Sequence, residues 1–279
     1  MSIVRQARSL LFVPGNRPER FAKAAAAGAD LVCIDFEDAV PAAERPAARA
    51  AAIEHLATLD AGHRVGVRCN RLGTADGLRD VLALADAAAK PAFVMLAKTE
   101  SAEQIALLAG HLSGTPLVAL IESARGIQAA GEIAGSHPQL HALMLGGADL
   151  CVELGCELAW EPLLHARATL VAAAALAASA RLGLLDVPWL DVADPEGARS
   201  ETARVAALGF TGKACIHPSQ IAAVHAGLAP APEALERARR VMAAAGAAGA
   251  DAAAVLVDGH LVDRPVILAA QRLLTRAVR

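Results

Sequence analysis

The chain has no tyrosine, and only five phenylalanines and two tryptophans among its 279 residues. Aromatic side chains are the usual platforms for unpaired bases, so their scarcity argues against a nucleic-acid partner. Charge argues the same way: 26 Lys and Arg against 29 Asp and Glu leave a net charge of −3, without the basic excess of a nucleic-acid binder. The five cysteines (Cys33, Cys69, Cys151, Cys156, Cys215) are an odd, scattered set with no CxxC pair. That spacing speaks against both a zinc site and a disulfide framework. No apolar run reaches the roughly 18 residues of a membrane span. The start, MSIVRQARSL, lacks a signal peptide's apolar region and cleavage site. The expectation is a cytoplasmic protein without membrane contact. No GxxxxGK[ST], HExxH or GxSxG stretch occurs, so none of those motifs carries the chemistry.

What the chain does have is alternation. Short apolar runs at 9–13, 31–35, 64–68, 93–96, 117–121, 142–145, 184–187 and 213–216 mostly stop at Gly, Pro or a charged residue. Segments of helical composition lie between them: 18–27, 41–59, 77–89, 101–112, 124–134, 160–182, 195–208 and 218–227. Eight strand–helix units predict an α/β fold, a (β/α)8 TIM barrel over residues 1–228. Pro230 and Pro232 mark a break. An Ala-rich helix at 233–247, the stretch 255–257, a Gly259 turn and a helix from Pro265 follow. This C-terminal helical arm, residues 229–279, exceeds what a closed barrel needs. Its pattern fits a lid, an arm reaching a neighbouring subunit, or a helix packed on the barrel wall.

In such barrels the strand C-termini surround the active site. Glu122 and Asp149 follow the fifth and sixth strands. Mg²⁺ takes oxygen ligands and keeps waters beside one or two carboxylates, so the pair reads as a metal site. Asp35, Glu37 and Asp38 follow strand two and repel one another unless a cation compensates. They fit a layer around metal-bound waters, or a solvated acidic turn. Arg68, ending strand three, can grip a carboxylate with two parallel hydrogen bonds or pair with the acidic cluster, and the two roles can coexist. Lys98, ending strand four, could form a Schiff base, but a carboxylate-rich pocket keeps it charged. His217 reads as a cap for the last turn, and Gly146-Gly147 permits close backbone approach to a ligand.

The ordered stretches RSLLFVPG, DLVCIDFEDAV, VRCN, IESARGI, GGADL and GKACIHPSQI together resemble the citrate lyase beta-subunit family, which includes the stand-alone citramalyl-CoA and malyl-CoA lyases. The resemblance spans nearly the whole chain. It implies a Mg²⁺ cofactor held by Glu122 and Asp149, with Arg68 on the keto-acid side. It places Pro14 and Gly147 with Arg68 and Glu122 around the substrate. Glu37 and Asp38 join Arg68 among the catalytic candidates. The tail stretch HLVDRP is similar to a family motif whose Asp, here Asp263, reaches a neighbouring subunit's pocket as acid/base. Homotrimers or hexamers are implied. The implied reaction cleaves, or forms, the carbon–carbon bond of a 3-hydroxy-3-carboxyl acyl-CoA thioester. Its products are acetyl-CoA and a 2-keto acid such as pyruvate. A second implied reading is a citrate lyase beta subunit that converts citryl-acyl-carrier protein to oxaloacetate and acetyl-acyl-carrier protein. A third, a non-catalytic scaffold subunit, is opposed by retention of Glu122, Asp149, Arg68 and Asp263.

Overall fold

The computed structural model describes residues 2–177, 180–248 and 254–277. Its first compact unit, Met1–Gly227, is a closed barrel of eight parallel strands in sequential order. They are β1 (Ser9–Pro14), β2 (Leu31–Asp35), β3 (Val65–Cys69), β4 (Val94–Leu96), β5 (Leu117–Ile121), β6 (Leu140–Leu145), β7 (Gly183–Asp186) and β8 (Gly212–Cys215). β8 pairs back onto β1 and closes the ring. The expected barrel is therefore present.

The helices of this unit are α1 (Ile3–Gln6), α2 (Phe21–Ala25), α3 (Arg45–Ala57), α4 (Ala75–Asp86), α5 (Ala102–His111), α6 (Ala124–Gln128), α7 (Ala130–Gly135), α8 (Gly147–Leu154), α9 (Trp160–Ala174), α10 (Pro195–Leu208) and α11 (Gln220–Leu228). Caps start several of them. Thr74 accepts from Gly77 N, Ser123 from Gly126 N and Asp194 from Gly197 N, while Ser101 and Gln104 form a capping box. Three expectations shift. The helix expected over 124–134 divides into α6 and α7 at Ala129. The one expected over 160–182 ends at Ala174, and its positions 178–179 lie outside the described residues. The third shift is α8, a helix not expected from the sequence.

Strands buried on both faces read as continuous apolar runs, and β2, β3 and β5 are buried throughout. Alternate residues point inward. Leu31 and Cys33, Phe93 and Met95, Val118 and Leu120, Ala142 and Met144, with Leu10, Leu185 and Ala214, fill the barrel. The same alternation turns Asp35 and Glu122 inward at the ends of β2 and β5. Gly66 faces inward too, since a Cβ there would lie 2.5 Å from the Phe93 ring. Arg68, two residues on, shares that face.

A buried ionic cluster joins β7 and β8 to the helices. Arg167 of α9 donates to both oxygens of Asp186 (2.9 and 3.1 Å). Lys213 of β8 donates to Asp186 (2.8 Å) and to Glu201 of α10 (2.6 Å). Arg167, Asp186 and Lys213 are at most 1% exposed. Arg167 also stacks on Trp160, 4.6 Å from the ring centroid.

Three histidines are held neutral. Burial, then the Arg5 charge, lowers His141 to about 4; its Nδ1 lies 2.7 Å from Ser2 Oγ. Burial also lowers His55 and His225. The unfolded chain protonates these residues near 6.5, so it binds more protons than the fold below that pH. Stability is then lost as pH falls from 6.5 toward 4. Thermal melts at pH 7.5 and 5.0 should show the lower midpoint at 5.0. His141→Gln should narrow the gap, and an unchanged gap would remove His141 from the account.

The second compact unit, Leu228–Arg279, holds α12 (Pro232–Ala248), an antiparallel hairpin of β9 (Ala254–Val257) and β10 (His260–Asp263), and α13 (Arg264–Ala277). Gly259, at φ +76°, lies in the hairpin turn. Ala238, Val241, Val262 and Ala270 form its own small core. Among the described residues, no helix is long and apolar enough to cross a membrane.

Candidate active site

A cavity of about 430 Å³ is lined by side chains that follow strands of the barrel. Phe12, Pro14, Asp35, Asp38, Arg68, Glu122, Gly146, Gly147 and Asp149 are part of its lining. Leu120, Met144, Leu145, Leu158, Val187, Pro188, Leu190 and Ile216 supply an apolar wall. That wall escaped sequence reasoning because most of it comes from loops whose contacts have no period. A second cavity of about 340 Å³ shares Glu122 and Asp149 and adds Arg71, Lys98, Glu100 and Glu153.

Asp35 is spent on Arg68. Its oxygens accept from Arg68 Nε (2.7 Å) and Nη2 (2.6 Å), and from the Glu37 and Ala39 amides (both 3.0 Å). The Nε edge of the guanidinium fork is thus occupied. Arg68 Nη1 lies 3.0 Å from Asp38 and 3.2 Å from Glu37. Burial works against the charged guanidinium, but Asp35, Glu37 and Asp38 outweigh it and hold its pKa above the ordinary value. The arginine also lies 5.1 Å over the Phe12 ring. The sequence offered a salt bridge or a substrate grip for Arg68. The salt bridge is present, and Nη1 donates to the half-exposed Asp38, which lines the cavity with Arg68.

Lys98 is the centre of the charge arrangement. Its ammonium donates to Glu37 Oε1 (3.0 Å) and Asp149 Oδ2 (2.5 Å), and its amide to Glu122 Oε1 (2.7 Å). Burial opposes the ammonium, but Asp149, Glu37 and Glu122 raise its pKa above the ordinary lysine value. A Schiff base needs the neutral amine, so this arrangement disfavours one. The backbone of Lys98 sits at φ +53°, a left-handed conformation that costs a non-glycine residue about 1–2 kcal/mol. The amide bond to Glu122 helps to offset that strain.

Glu122 is 5% exposed. Burial, and then the Glu37 charge, push its pKa up to about 8. Gly146 makes room for it, because a Cβ there would lie 2.5 Å from Glu122 Cβ and 2.6 Å from Oε2. Gly147 serves packing, since a Cβ would strike Val187 at 2.6 Å and Leu163 at 2.9 Å. The Gly-Gly pair thus accommodates a carboxylate and a helix start as well as bordering the cavity. Asp149 stands in the first turn of α8, with a side chain 40% exposed. Glu37 is buried away from the cavity wall and binds Lys98 and Arg68. Its Oε2 lies near Arg68 without the alignment of a hydrogen bond. His217 caps its own turn, with Nδ1 2.7 Å from Ser219 Oγ.

Asp263 belongs to the second unit. Its Oδ1 accepts from Val266 N at 3.3 Å, across the first turn of α13. Within its own unit it is a helix cap.

Could these residues hold a divalent metal? The cavity lining holds no His or Cys, so its donors are hard oxygens. Among the described residues, no group of three or more His, Cys, Asp or Glu is placed to hold a metal alone. Two carboxylates that leave positions for water and substrate match Mg²⁺ rather than a closed zinc site. The space that Gly146 leaves beside Glu122 is consistent with that use, and the site fits.

A closed barrel carries Glu122 and Asp149 between two cavities, with Arg68 at one and Lys98 at the other, the frame of a barrel enzyme; its relatives make its class that of the lyases. The chain belongs to the HpcH/HpaI aldolase/citrate lyase family, which it matches over residues 8–218. It is 43% identical to a citrate lyase subunit beta-like protein of Mycobacterium tuberculosis, over 96% of this chain and 94% of that protein. Two proteins of Cereibacter sphaeroides are also similar. A (3S)-malyl-CoA thioesterase is 35% identical over 97% of this chain and 94% of that protein. An L-malyl-CoA/beta-methylmalyl-CoA lyase is 34% identical over 98% of this chain and 95% of that protein. Among solved structures, the M. tuberculosis CitE protein in complex with magnesium, acetoacetate and coenzyme A superposes with a TM-score of 0.85. It is 41% identical, over 99% of this chain and all of that chain.

Proposed function

We propose that the chain is a Mg²⁺-dependent lyase that splits a 3-hydroxy-3-carboxyl acyl-CoA thioester, such as citramalyl-CoA or malyl-CoA, into acetyl-CoA and a 2-keto acid. The observation that carries this is Glu122, Asp149 and Arg68 around one cavity, with Lys98 bridging Glu37 to Asp149. Glu122 and Asp149 would hold the ion. When bound, Mg²⁺ supplies Lewis acidity and a template for a carboxylate and hydroxyl.

The chain's own residues do the rest. Arg68 presents Nη1 to the keto-acid side and meets charge that develops there. Asp35 and Asp38 fix the guanidinium. Glu37 ties Lys98 and Arg68 together, so both cations are positioned before substrate arrives. The apolar wall of Leu120, Met144 and Val187 excludes water from the breaking bond. Pro14 and Gly147 border the substrate. Asp263, supplied by a neighbouring subunit, moves the proton at the thioester α-carbon. The arm, residues 229–279, is then the part of a homotrimer or hexamer that completes each site.

Arg68→Lys keeps the charge and loses the planar fork. Turnover should fall about 10²–10³-fold, the usual cost of one oriented donor, with the circular dichroism spectrum kept. Unchanged kinetics would assign Arg68 to structure alone.

The arm has its own test. Asp263→Asn and Glu122→Gln chains should each be nearly inactive. Co-refolded mixtures should recover part of the activity, because some sites then combine an intact Glu122 with an intact Asp263. Mixtures that exchange subunits and stay inactive would leave Asp263 as the α13 cap.

The similarity to a (3S)-malyl-CoA thioesterase favours a second reading, hydrolysis of the same thioester. Products separate the two. Citramalyl-CoA, malyl-CoA and citryl-CoA are offered in turn to the purified protein. Lyase action yields keto acid and acetyl-CoA, whereas hydrolysis yields free CoA thiol and a hydroxy acid. Inactivity on all three would direct attention to acyl-carrier thioesters, as for a citrate lyase beta subunit.

A further inference from the structure

Helix α8, which carries Asp149, ends in a specific way. Gly155 takes the left-handed conformation at φ +67°. Its amide bonds to Val152 O (3.3 Å), and the next amide, of Cys156, reaches back to Cys151 O (3.0 Å). These two bonds form a Schellman motif, whose first and last residues bring their side chains together. Here those residues are Cys151 and Cys156. The backbones are joined at the short range that a disulfide needs, a Cα separation of about 4.4–6.8 Å. Cys156 is half-exposed, and Cys151 is buried behind it. Cys33, Cys69 and Cys215 are completely buried and lie in β2, β3 and β8, away from this pair.

We infer that Cys151 and Cys156 form a reversible oxidation site, a dithiol that hydrogen peroxide converts to a disulfide across the end of α8. The sulfur of Cys156, the more accessible of the two residues, attacks the peroxide, forming a sulfenic acid and releasing one water. The sulfur of Cys151 then attacks the sulfenic sulfur, forms the S–S bond and releases a second water. Two thiols lose two electrons and two protons in total, and one peroxide becomes two waters. A thiol reductant reverses the step by exchange. The bond forms in the wall of the site: Asp149 lies two residues upstream, and Val152 and Glu153 line the second cavity. Oxidation also removes the S–H that Cys151 donates to Glu157 O at 3.3 Å, a tie on the segment leading to Leu158.

The test uses the whole protein. After hydrogen peroxide treatment, free thiols are counted in denaturant and the chain is cut at glutamates. Cleavage after Glu153 separates the two cysteines. The count should fall from five thiols to three. The peptides on either side of Glu153 should stay joined until dithiothreitol is added. Cys156→Ser should keep all four of its thiols under the same treatment. If that variant does not fold, the wild-type peptide map decides alone. Five surviving thiols, or Cys156 over-oxidised to sulfinic acid with no joined peptides, would overturn the inference.

Discussion

Glu122→Gln is expected to abolish turnover while leaving the barrel at least as stable. The glutamine oxygen can still accept the Lys98 amide, as Glu122 Oε1 does at 2.7 Å. Its size suits the space beside Gly146. What disappears is an ionisable carboxyl whose charged form burial disfavours, its pKa pushed up to about 8 when no metal is bound. The melting temperature of the metal-free variant should equal or exceed that of the wild type. Activity should fall by more than the 10–100-fold that loss of an outer-shell partner costs. Calorimetry should show weakened Mg²⁺ binding in the same variant. A Glu122→Gln protein with normal turnover would remove this carboxylate from the metal site. One that fails to fold would instead make Glu122 a structural anchor for Lys98.

Asp186→Ala should produce the largest loss of stability without touching the cavity. Asp186 accepts from two cations, Arg167 and Lys213, and all three side chains are almost completely buried. Removing the carboxylate leaves both charges inside the protein with Glu201 as the nearby anion. Breaking a buried pair in this way costs about 3–5 kcal/mol. For a unit of this size that corresponds to a fall of about 6–20 °C in melting temperature. Urea denaturation should show the midpoint drop, and the lyase reaction should persist at low temperature. A shift below about 1 kcal/mol would mean that water reaches the cluster and solvates it, as at an exposed ion pair.

The two cases also show what was legible in the sequence. β5 and α10 follow their predicted bounds because apolar runs and flanking Pro, Gly and Asp punctuate the chain there. Glu122 was readable as a candidate because strand alternation alone turns it inward beyond Val118 and Leu120. α8 was not. It opens on two glycines, spans only eight residues and has no side-chain N-cap. Asp149 therefore read only as a residue just past the sixth strand, and its placement in a helical first turn came from the fold. The ionic cluster had a signal that went unused. A lysine inside the apolar stretch KACI demands a buried counter-charge, but its partners lie far away in sequence, in β7 and α10. The left-handed backbone of Lys98 has no signal at all, since nothing in Ala97-Lys98 favours positive φ. The hydrogen bond to Glu122 helps to offset its cost. The pairing of Arg68 with the acidic cluster was one of two roles that can coexist, and the bonds to Asp35 show that one.

The central claim is that Glu122 and Asp149 hold a Mg²⁺ on which carbon–carbon cleavage depends. The direct measurement strips the purified protein with EDTA, removes the chelator, and follows 2-keto acid released from citramalyl-CoA or malyl-CoA as Mg²⁺ is added back. Keto acid should be absent without metal and rise to saturation with Mg²⁺, with acetyl-CoA formed in equal amount. Keto acid released at full rate by the stripped protein would contradict the account, as would free CoA thiol in place of acetyl-CoA.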